Sequence, residues 1–396
     1  MNSQKTRQSI PEADRAREET VKLLGHLWDC NDDTITIKIP KPPEGVPTKR
    51  EVVSFLASIY DPMGILSPII VPIKELTQDL WEEEVSWKEK IPLRITKKWE
   101  AIKTTFKQTS YTMPRRLVSV ANYKAVQLLL FSDASERHFA TAAYLHFQFE
   151  NSTPVTKLIM AKSKVKPKGT ELSIPRLELM AIEIAVNAAM TLTQELELKK
   201  LSNIKFFSDS MIALYWVLKR EKLTKFVDNR VSKIHTIARS LKEQNLKPSF
   251  HHCPTDQNPA DIASRGSTID KLMGNVLWEE GPEFLKRPEN EWPIRLEGTI
   301  NYPSEFRDLI EKEVTWKKPI KANTKKATVL TIAETTIQQD SIVRYKSARS
   351  FEKLITTMSM VFRWYTRKLS NKKWNSRLMK KLAESNTDEI SRRSLV

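Results

Sequence analysis

Residues 128–133 read LLLFSD, an apolar run that ends in an acid, and residues 204–209 repeat the design as IKFFSD. Each run is typical of a short buried strand with a carboxylate at its C-terminal end. Between them, residues 173–180 read SIPRLELM and open an apolar-periodic helix, with Pro175 in a first turn that tolerates proline. Glu178 falls early in this helix. The pattern therefore predicts two strands and one helix that each present an acid near one end.

A fourth acid, Asp261, begins a short helix within QNPADIASRG at residues 257–266. A buried carboxylate is costly unless something compensates its charge, so four acids that met at one sheet edge would favour divalent cations. Oxygen ligands suit Mg²⁺ or Mn²⁺. Two such ions about 3.5–4 Å apart clamp the attacking and leaving oxygens of a phosphodiester. The alternative is that each acid is only a turn former or helix cap, which Asp favours.

The order of these elements resembles the ribonuclease H fold. Four motifs also resemble, in order and spacing, the ribonuclease H segment of Pao/BEL-type LTR retrotransposon polyproteins. They read FSDASERHFATAAYL, SIPRLELMAIEIA, FFSDSMIALYWV and HHCPTDQNPADIASRG. The resemblance implies an α/β chain, in which a ribonuclease H-like mixed five-stranded sheet carries flanking helices. A small α+β polymerase-tail region would precede this domain, and a mainly helical tail would follow it.

The resemblance also implies which residues act. The catalytic acids, which are also the ligands of two Mg²⁺ or Mn²⁺ ions, would be Asp133, Glu178, Asp209 and Asp261. His252 resembles the loop histidine that helps product leave in some members, although the adjacent His251 competes for that role and either can be a plain strand residue. Arg265 resembles the arginine that follows the final acid and would contact phosphate.

A basic stretch after the second acid-bearing strand offers further phosphate contacts. Lys219, Arg220 and Lys222 could follow a nucleic-acid backbone; a solvated helix face is an equally good interpretation. The whole chain of 396 residues carries 65 Lys and Arg against 48 Asp and Glu, a formal charge of +17. Such a charge favours a polyanionic partner, and nucleic acid is the first candidate.

Composition excludes several other classes of protein. With 40% hydrophobic and 29% charged residues, the chain is expected to fold into two or three domains rather than stay disordered. Cys30 and Cys253 are too few for a disulfide framework or a zinc finger and indicate a reducing compartment. No apolar leader or membrane-length run is present, so we expect a protein that is neither secreted nor anchored.

The expected organisation has five parts. They are a polar lead-in (1–21), a reverse-transcriptase tail or connection region (22–112), a ribonuclease H-like domain (113–272), a connector (273–349) and a basic helical tail toward integrase (350–396). In the connection region, residues 22–28 and 34–39 predict a hairpin, and Thr48 with Glu51 predicts a capping box. Tryptophans at 81, 87 and 99 favour helix packing over a base-stacking platform.

The hypothesis that follows is a retroelement ribonuclease H that hydrolyses the RNA strand of RNA/DNA hybrids during reverse transcription. Its partners would be the hybrid and the upstream reverse transcriptase and downstream integrase of the same polyprotein, in the cytoplasm and in a virus-like particle. No polymerase or peptidase active site is expected in this chain. The alternative is a catalytically inactive nucleic-acid-binding relic, which Ala140 favours because members of the family usually have glycine there. An integrase is disfavoured because its glutamate comes last among the acids, whereas Glu178 precedes Asp209.

Overall fold

The computed structural model describes residues 20–23, 25–118, 123–169, 171–196, 200–218 and 223–292. The chain divides into two compact units, Met1–Lys318 and Pro319–Val396, and all of the described residues belong to the first. Most of the predicted lead-in, most of the connector and the whole basic tail lie outside the described residues.

Nine strands and nine α-helices make up the described part of the chain. The strands are β1 (Thr20–Leu23), β2 (His26–Asp29), β3 (Thr34–Lys38), β4 (Ser110–Pro114), β5 (Ala125–Ala134), β6 (His138–Gln148), β7 (Val155–Val165), β8 (Leu201–Ser208) and β9 (Lys247–His252). The helices are α1 (Lys49–Ser58), α2 (Ser67–Glu82), α3 (Leu93–Lys103), α4 (Ile174–Glu195), α5 (Met211–Leu218), α6 (Lys225–Glu243), α7 (Pro259–Arg265), α8 (Ile269–Leu272) and α9 (Val276–Glu280). Short 3-10 turns follow at Thr255–Gln257, Glu283–Lys286 and Glu289–Glu291.

The larger sheet has five strands in the order β7-β6-β5-β8-β9. Strands β5, β6 and β7 are antiparallel neighbours, whereas β8 runs parallel to β5 and β9 parallel to β8. Helix α4 packs on β5 and β6, and α6 packs against α4. This is the mixed five-stranded sheet with flanking helices of a ribonuclease H-like fold, and the expected fold class is confirmed for this domain; the expected helical tail lies outside the described residues.

Both faces of the central strand β5 are buried, which explains why its sequence is a continuous apolar run instead of an alternating one. Leu128 and Leu130 contact the core beneath α4, α5 and α6. Leu129 and Phe131 face the opposite side and pack with residues of α2, α7 and α9. The helices that precede the sheet in sequence therefore share a hydrophobic core with it.

The smaller sheet, β1-β2-β3-β4, is antiparallel throughout. The sequence predicted one strand over residues 22–28, and this was wrong. Gly25 has φ +91°, a left-handed conformation that glycine adopts at little cost, and it turns the chain between β1 and β2. The sequence placed the start of the ribonuclease H-like domain at residue 113. Strand β4 spans this position and pairs with β3 of the connection region.

Two local predictions in the connection region concern side-chain contacts. Thr48 and Glu51 form the capping box at the start of α1, as predicted. Trp99 is fully buried and meets Phe55 edge to face, so packing is confirmed there. Packing was the wrong interpretation for Trp81 and Trp87, which are 55% and 47% exposed and contact each other edge to face.

Residues that the sequence assigned to a connector also contribute to the core. Trp278 on α9 is fully buried, and its backbone carbonyl accepts a hydrogen bond from the Tyr144 hydroxyl at 2.8 Å. Tyr144 lies on β6, so the segment after residue 272 is attached directly to the sheet. None of the helices in the described ranges is both long and apolar enough to cross a membrane.

Gly64 makes the closest backbone approach between the connection region and the sheet. It has φ +72°, and a Cβ atom there would lie 1.9 Å from the carbonyl oxygen of Ala161 on β7. We expect Gly64→Ala to lower the free energy of unfolding by about 2–3 kcal/mol, because positive φ and steric overlap act together. Gly45→Ala is the matched control, since Gly45 has φ +65° but nothing within 4 Å of the added Cβ. Urea unfolding should place the control about 1 kcal/mol below wild type; equal losses in both variants would disprove the close approach.

Candidate active site

The two strand-end acids lie side by side because their strands are parallel. Ser132 of β5 is in register with Ser208 of β8, so the residues that follow, Asp133 and Asp209, lie at the same edge of the sheet. The Ser132 hydroxyl donates to the carbonyl oxygen of Phe207 at 2.9 Å and ties the two strand ends together. The arrangement is the one that a repeated apolar run with a terminal acid predicts.

Helix α4 brings the third acid to this edge. Ser173 is its N-cap residue and Pro175 lies in its first turn, as predicted. Leu177 and Leu179 are fully buried, which fixes the helix on the sheet and directs Glu178 between them toward the strand ends. Ser210, which follows the second strand-end acid, hydrogen-bonds to the Glu178 carboxylate.

Three of the four predicted acids line one cavity of about 660 Å³. They are Asp133, Glu178 and Asp209. The cavity wall also includes Arg265 from α7 and Glu75 from α2. The sequence thus predicted that these three acids meet, and it did not predict the contribution of α2.

Asp261 lies beside this cavity, on the short helix α7. Asn258 caps that helix, and its Nδ2 atom donates to the carbonyl oxygen of Ser132 at 3.0 Å. The helix is therefore fixed to the end of β5. Asp261 forms an ion pair with Arg265, and its charge contributes to the raised pKa of Asp133. All four acids are thus found at one edge of the sheet.

Burial and mutual repulsion both act on the acids. Burial first, and then the charges of Asp209 and Asp261, raise the pKa of Asp133 to about 7, against a hydrogen bond from Ser264 that lowers it. Burial, with the charges of Asp209 and Asp133, likewise raises the pKa of Glu178 to about 7. Carboxyl groups that resist ionisation in this way are common where charge is concentrated for function.

The donor set suits a hard divalent cation. Asp209 Oδ2 accepts a hydrogen bond from the Thr255 hydroxyl at 2.9 Å, whereas its Oδ1 atom is buried without a hydrogen-bond partner. An added positive charge would satisfy this oxygen and relieve the repulsion among its neighbours. In the arrangement seen here, no group of three or more His, Cys, Asp or Glu residues in the described part of the chain is placed to hold a metal ion. Asp133 is engaged by Ser264 and Asp261 by Arg265, so ligation would require these side chains to change partners.

The two neighbouring histidines have different surroundings. His252 is half-buried, and its ring contacts the backbone of Asp209; burial lowers its pKa, and the Asp209 charge opposes this. His251 is buried, its Nε2 atom lies 2.9 Å from the Ser249 hydroxyl, and it stacks on Phe207. Of the pair, His252 lies next to the acids, which is the position that the sequence assignment requires.

The predicted phosphate contacts divide into two groups. Arg265 lines the cavity, and its side chain is 66% exposed. Lys219, Arg220 and Lys222 lie outside the described residues. Ala140, where members of the resembled family usually have glycine, pairs with Asp133 across the β5–β6 ladder and is fully buried.

Sequence reasoning missed the hydroxyl groups that hold the acids. Ser264 bonds Asp133, Ser210 bonds Glu178 and Thr255 bonds Asp209. Serine and threonine are common in loops and at helix ends, so their presence in these motifs gave no specific signal. Glu75 was missed for a different reason, because its helix is far in sequence from every acid-bearing motif.

Comparisons with solved structures returned ribonuclease H proteins. The N-terminal RNase H domain of rv2228c from Mycobacterium tuberculosis, solved as a fusion with maltose binding protein, is 13% identical over 35% of this chain and 94% of that chain, with a TM-score of 0.25. RNase H1 from Halobacterium salinarum NRC-1 is 11% identical over 34% and 90%, with a TM-score of 0.21. LC11-RNase H1, in complex with an RNA/DNA hybrid, is 14% identical over 34% and 91%, with a TM-score of 0.25. These values are too low to support a conclusion about activity or substrate.

A search of curated proteins returned no match. Residues 48–210 match a protein-family model described as the Pao retrotransposon-like RNaseH-like domain. The match begins at the capping box of α1 and ends just after Asp209, so it includes the connection helices together with three of the four acids. Over residues 48–210, which are less than half of the chain, the protein is therefore similar to the Pao retrotransposon-like RNaseH-like domain.

Proposed function

We propose that this chain is a retroelement ribonuclease H that hydrolyses the RNA strand of RNA/DNA hybrids with the help of two Mg²⁺ or Mn²⁺ ions. The observation that supports it best is the cavity lined by Asp133, Glu178 and Asp209. Three carboxylates gathered at one edge of the sheet, two from parallel strand ends and one from α4, gain no stability from each other, since their charges repel. Their arrangement becomes useful when cations and phosphate oxygens enter the cavity.

The four acids would hold the ions, and the ions would supply an activated water and stabilise the departing 3′-oxygen of the phosphodiester. Asp133 and Asp209 lie at the ends of neighbouring parallel strands and line the cavity, so a change of hydrogen-bond partner at Asp133 would be enough to make both carboxylates available to the ions. Arg265 lies at the cavity wall with an exposed side chain, where its guanidinium would bind a phosphate of the scissile strand. His252, next to Asp209, would assist product departure.

The substrate class follows from charge and from the site chemistry together. The formal charge of +17 favours a polyanion. Contacts to ribose 2′-hydroxyl groups would distinguish the RNA strand from DNA. By its resemblance to Pao/BEL-type polyproteins, the domain would act beside an upstream reverse transcriptase and a downstream integrase of one polyprotein, in a cytoplasmic virus-like particle. The division of the chain into lead-in, connection region, ribonuclease H-like domain, connector and basic tail remains part of this proposal.

A labelled RNA/DNA hybrid tests the proposal directly. With Mg²⁺ we expect the wild-type protein to shorten the RNA strand and leave the DNA strand intact, and excess chelator should stop the reaction. Double-stranded DNA of the same sequence is the matched control substrate. Equal RNA cleavage by wild type and by Asp133→Asn, or cleavage that persists in chelator, would contradict a metal-dependent site at these acids.

A second candidate function is nucleic-acid binding without catalysis. One observation favours it: in the ranges that the structure describes, no group of three or more His, Cys, Asp or Glu residues is placed to hold a metal ion. The two candidates differ in one measurement. Tight binding of the hybrid in chelator, with no turnover when Mg²⁺ is added, would favour the inactive form over the nuclease.

A further inference from the structure

We propose that Glu75 is a positioning residue of the candidate active site, acting through His138 and Ser264 on Asp133. The inference rests on the proposed nuclease function for its kinetic consequence and on the contacts alone for its structural one. Glu75 lies on α2, a helix that precedes all five strands of the larger sheet. It nevertheless lines the same cavity as Asp133, Glu178 and Asp209.

The Glu75 carboxylate is held by groups from the turn between β5 and β6. Its Oε2 atom lies 3.0 Å from Nε2 of the buried His138, and its Oε1 atom forms an ion pair with Arg137. The hydrogen bond from His138 and that from Arg137 lower the pKa of Glu75 to about 2 against the effect of burial. Glu75 is therefore a fixed negative charge that anchors this turn, which directly follows the strand end carrying Asp133.

The second ring nitrogen of His138 continues the chain of contacts. Nδ1 lies 3.0 Å from the carbonyl oxygen of Ser264, and because a carbonyl only accepts, Nδ1 must donate. The Ser135 hydroxyl donates to the same carbonyl at 2.9 Å. Ser264 is fully buried in the last turn of α7. The His138 ring therefore lies between α2 and α7, with an oxygen atom 3.0 Å from each of its nitrogens.

Ser264 connects His138 to the acids. Its hydroxyl hydrogen-bonds to Asp133 Oδ2 and also lies 3.2 Å from the carbonyl oxygen of Asp261. A displacement of α7 would thus move the donor that orients Asp133 and the helix that carries Asp261. Without Glu75, the His138 ring loses the acceptor that fixes its rotation, and the hold on Ser264 weakens.

The same helix offers a matched control. Asp79 lies one turn after Glu75 and forms ion pairs with Lys98 at 2.5 Å and Lys168 at 2.5 Å. It does not belong to the wall of the acid-lined cavity. Asp79→Asn therefore removes ion pairs from the same helix. Lys98 also lies 3.6 Å from Glu75, but the contact between Glu75 and His138 that leads to Asp133 stays in place.

The kinetic test compares Glu75→Ala, Glu75→Gln and Asp79→Asn in the full chain with the labelled hybrid and Mg²⁺. We expect Glu75→Ala to lower kcat by about 10- to 100-fold, the usual loss when a group that orients a ligand is removed, with KM changed less than about twofold. Glu75→Gln, which keeps an oxygen acceptor for His138, should recover part of the loss. Asp79→Asn should keep the wild-type kcat. Equal kcat values for wild type and Glu75→Ala, or equal losses in Glu75→Ala and Asp79→Asn, would overturn the proposal.

A structural measurement tests the positioning role of Glu75 without relying on activity. If wild type proves inactive, the nuclease proposal fails, but this test of Glu75 still applies. Amide hydrogen exchange of α7 (Pro259–Arg265) measures how firmly that helix is held. We expect Glu75→Ala to lose about tenfold in protection there, while Asp79→Asn matches wild type. Unchanged protection of α7 in Glu75→Ala would rule out Glu75 as a positioning residue.

Discussion

Asp133→Asn is expected to abolish hydrolysis of the hybrid and, at the same time, to stabilise the folded protein at pH 8. We expect a loss of at least about 10²–10³-fold in kcat, because the variant removes one of the groups that would hold the charge at the reacting phosphate. The gain in stability follows from the surroundings of this carboxyl. It is almost fully buried, and Asp209 and Asp261 repel it.

The effect of pH on stability has a definite sign. The pKa of Asp133 is about 7 in the folded protein against an ordinary value of 3.8. Between these values the folded state keeps a proton that the unfolded state releases, so stability falls as pH rises through this window. Above pH 7 the cost is complete and is on the order of a few kcal/mol. Asparagine carries no charge and still accepts the Ser264 hydrogen bond, so this cost disappears.

Urea unfolding of wild type and Asp133→Asn at pH 5 and pH 8, without divalent cations, measures this difference. The variant should gain more at pH 8 than at pH 5. Asp256→Asn is the control, since Asp256 is an exposed acid in the turn before α7 and should change stability by less than about 0.5 kcal/mol. A variant that is less stable than wild type at pH 8 would show that Asp133 is not held among like charges.

The sequence predicted the acids well because two simple rules determine where they lie. A continuous apolar run marks a strand buried on both faces, and the ends of parallel neighbours meet at one edge. Asp133 and Asp209 satisfy both rules. Glu178 follows from the position of Pro175 in the first turn of α4. Asp261 was also predicted at the start of a short helix, but its role beside the other three acids depended on the resemblance, because no strand or helix pattern links it to them.

The contacts that hold these acids could not be predicted in this way. Ser264 reaches Asp133 across 131 positions of sequence, and no local pattern encodes so distant a pairing. Glu75 looks like any acid on an amphipathic helix until the fold places α2 against β7 and α7. The exposure of Trp81 could not be predicted from the sequence either. The ammonium group of Lys49 lies 3.6 Å from the centre of its ring, yet the residue is 55% exposed.

Trp278→Ala is expected to cause the largest loss of stability among the variants considered. The side chain is fully buried, and its Nε1 atom donates to the carbonyl oxygen of Ile65 at 3.2 Å. Removal of a buried tryptophan leaves a large cavity and typically costs about 3–5 kcal/mol. The unpaired Ile65 carbonyl adds to this cost, since the indole was its donor.

The measurement is urea unfolding of the full chain, with Trp87→Ala as the control. Trp87 is also a tryptophan, but it is 47% exposed, so its loss should cost no more than about 1 kcal/mol.

The comparison also tests where the folded domain ends. Trp278 lies beyond residue 272, where the sequence placed the end of the ribonuclease H-like domain, yet it packs between the connection region and β6. If Trp278→Ala were as stable as Trp87→Ala, residues after 272 would not contribute to the core, and a fragment ending there should fold. A loss near the expected size means instead that such a fragment lacks a side chain on which the attachment of the connection helices to the sheet depends.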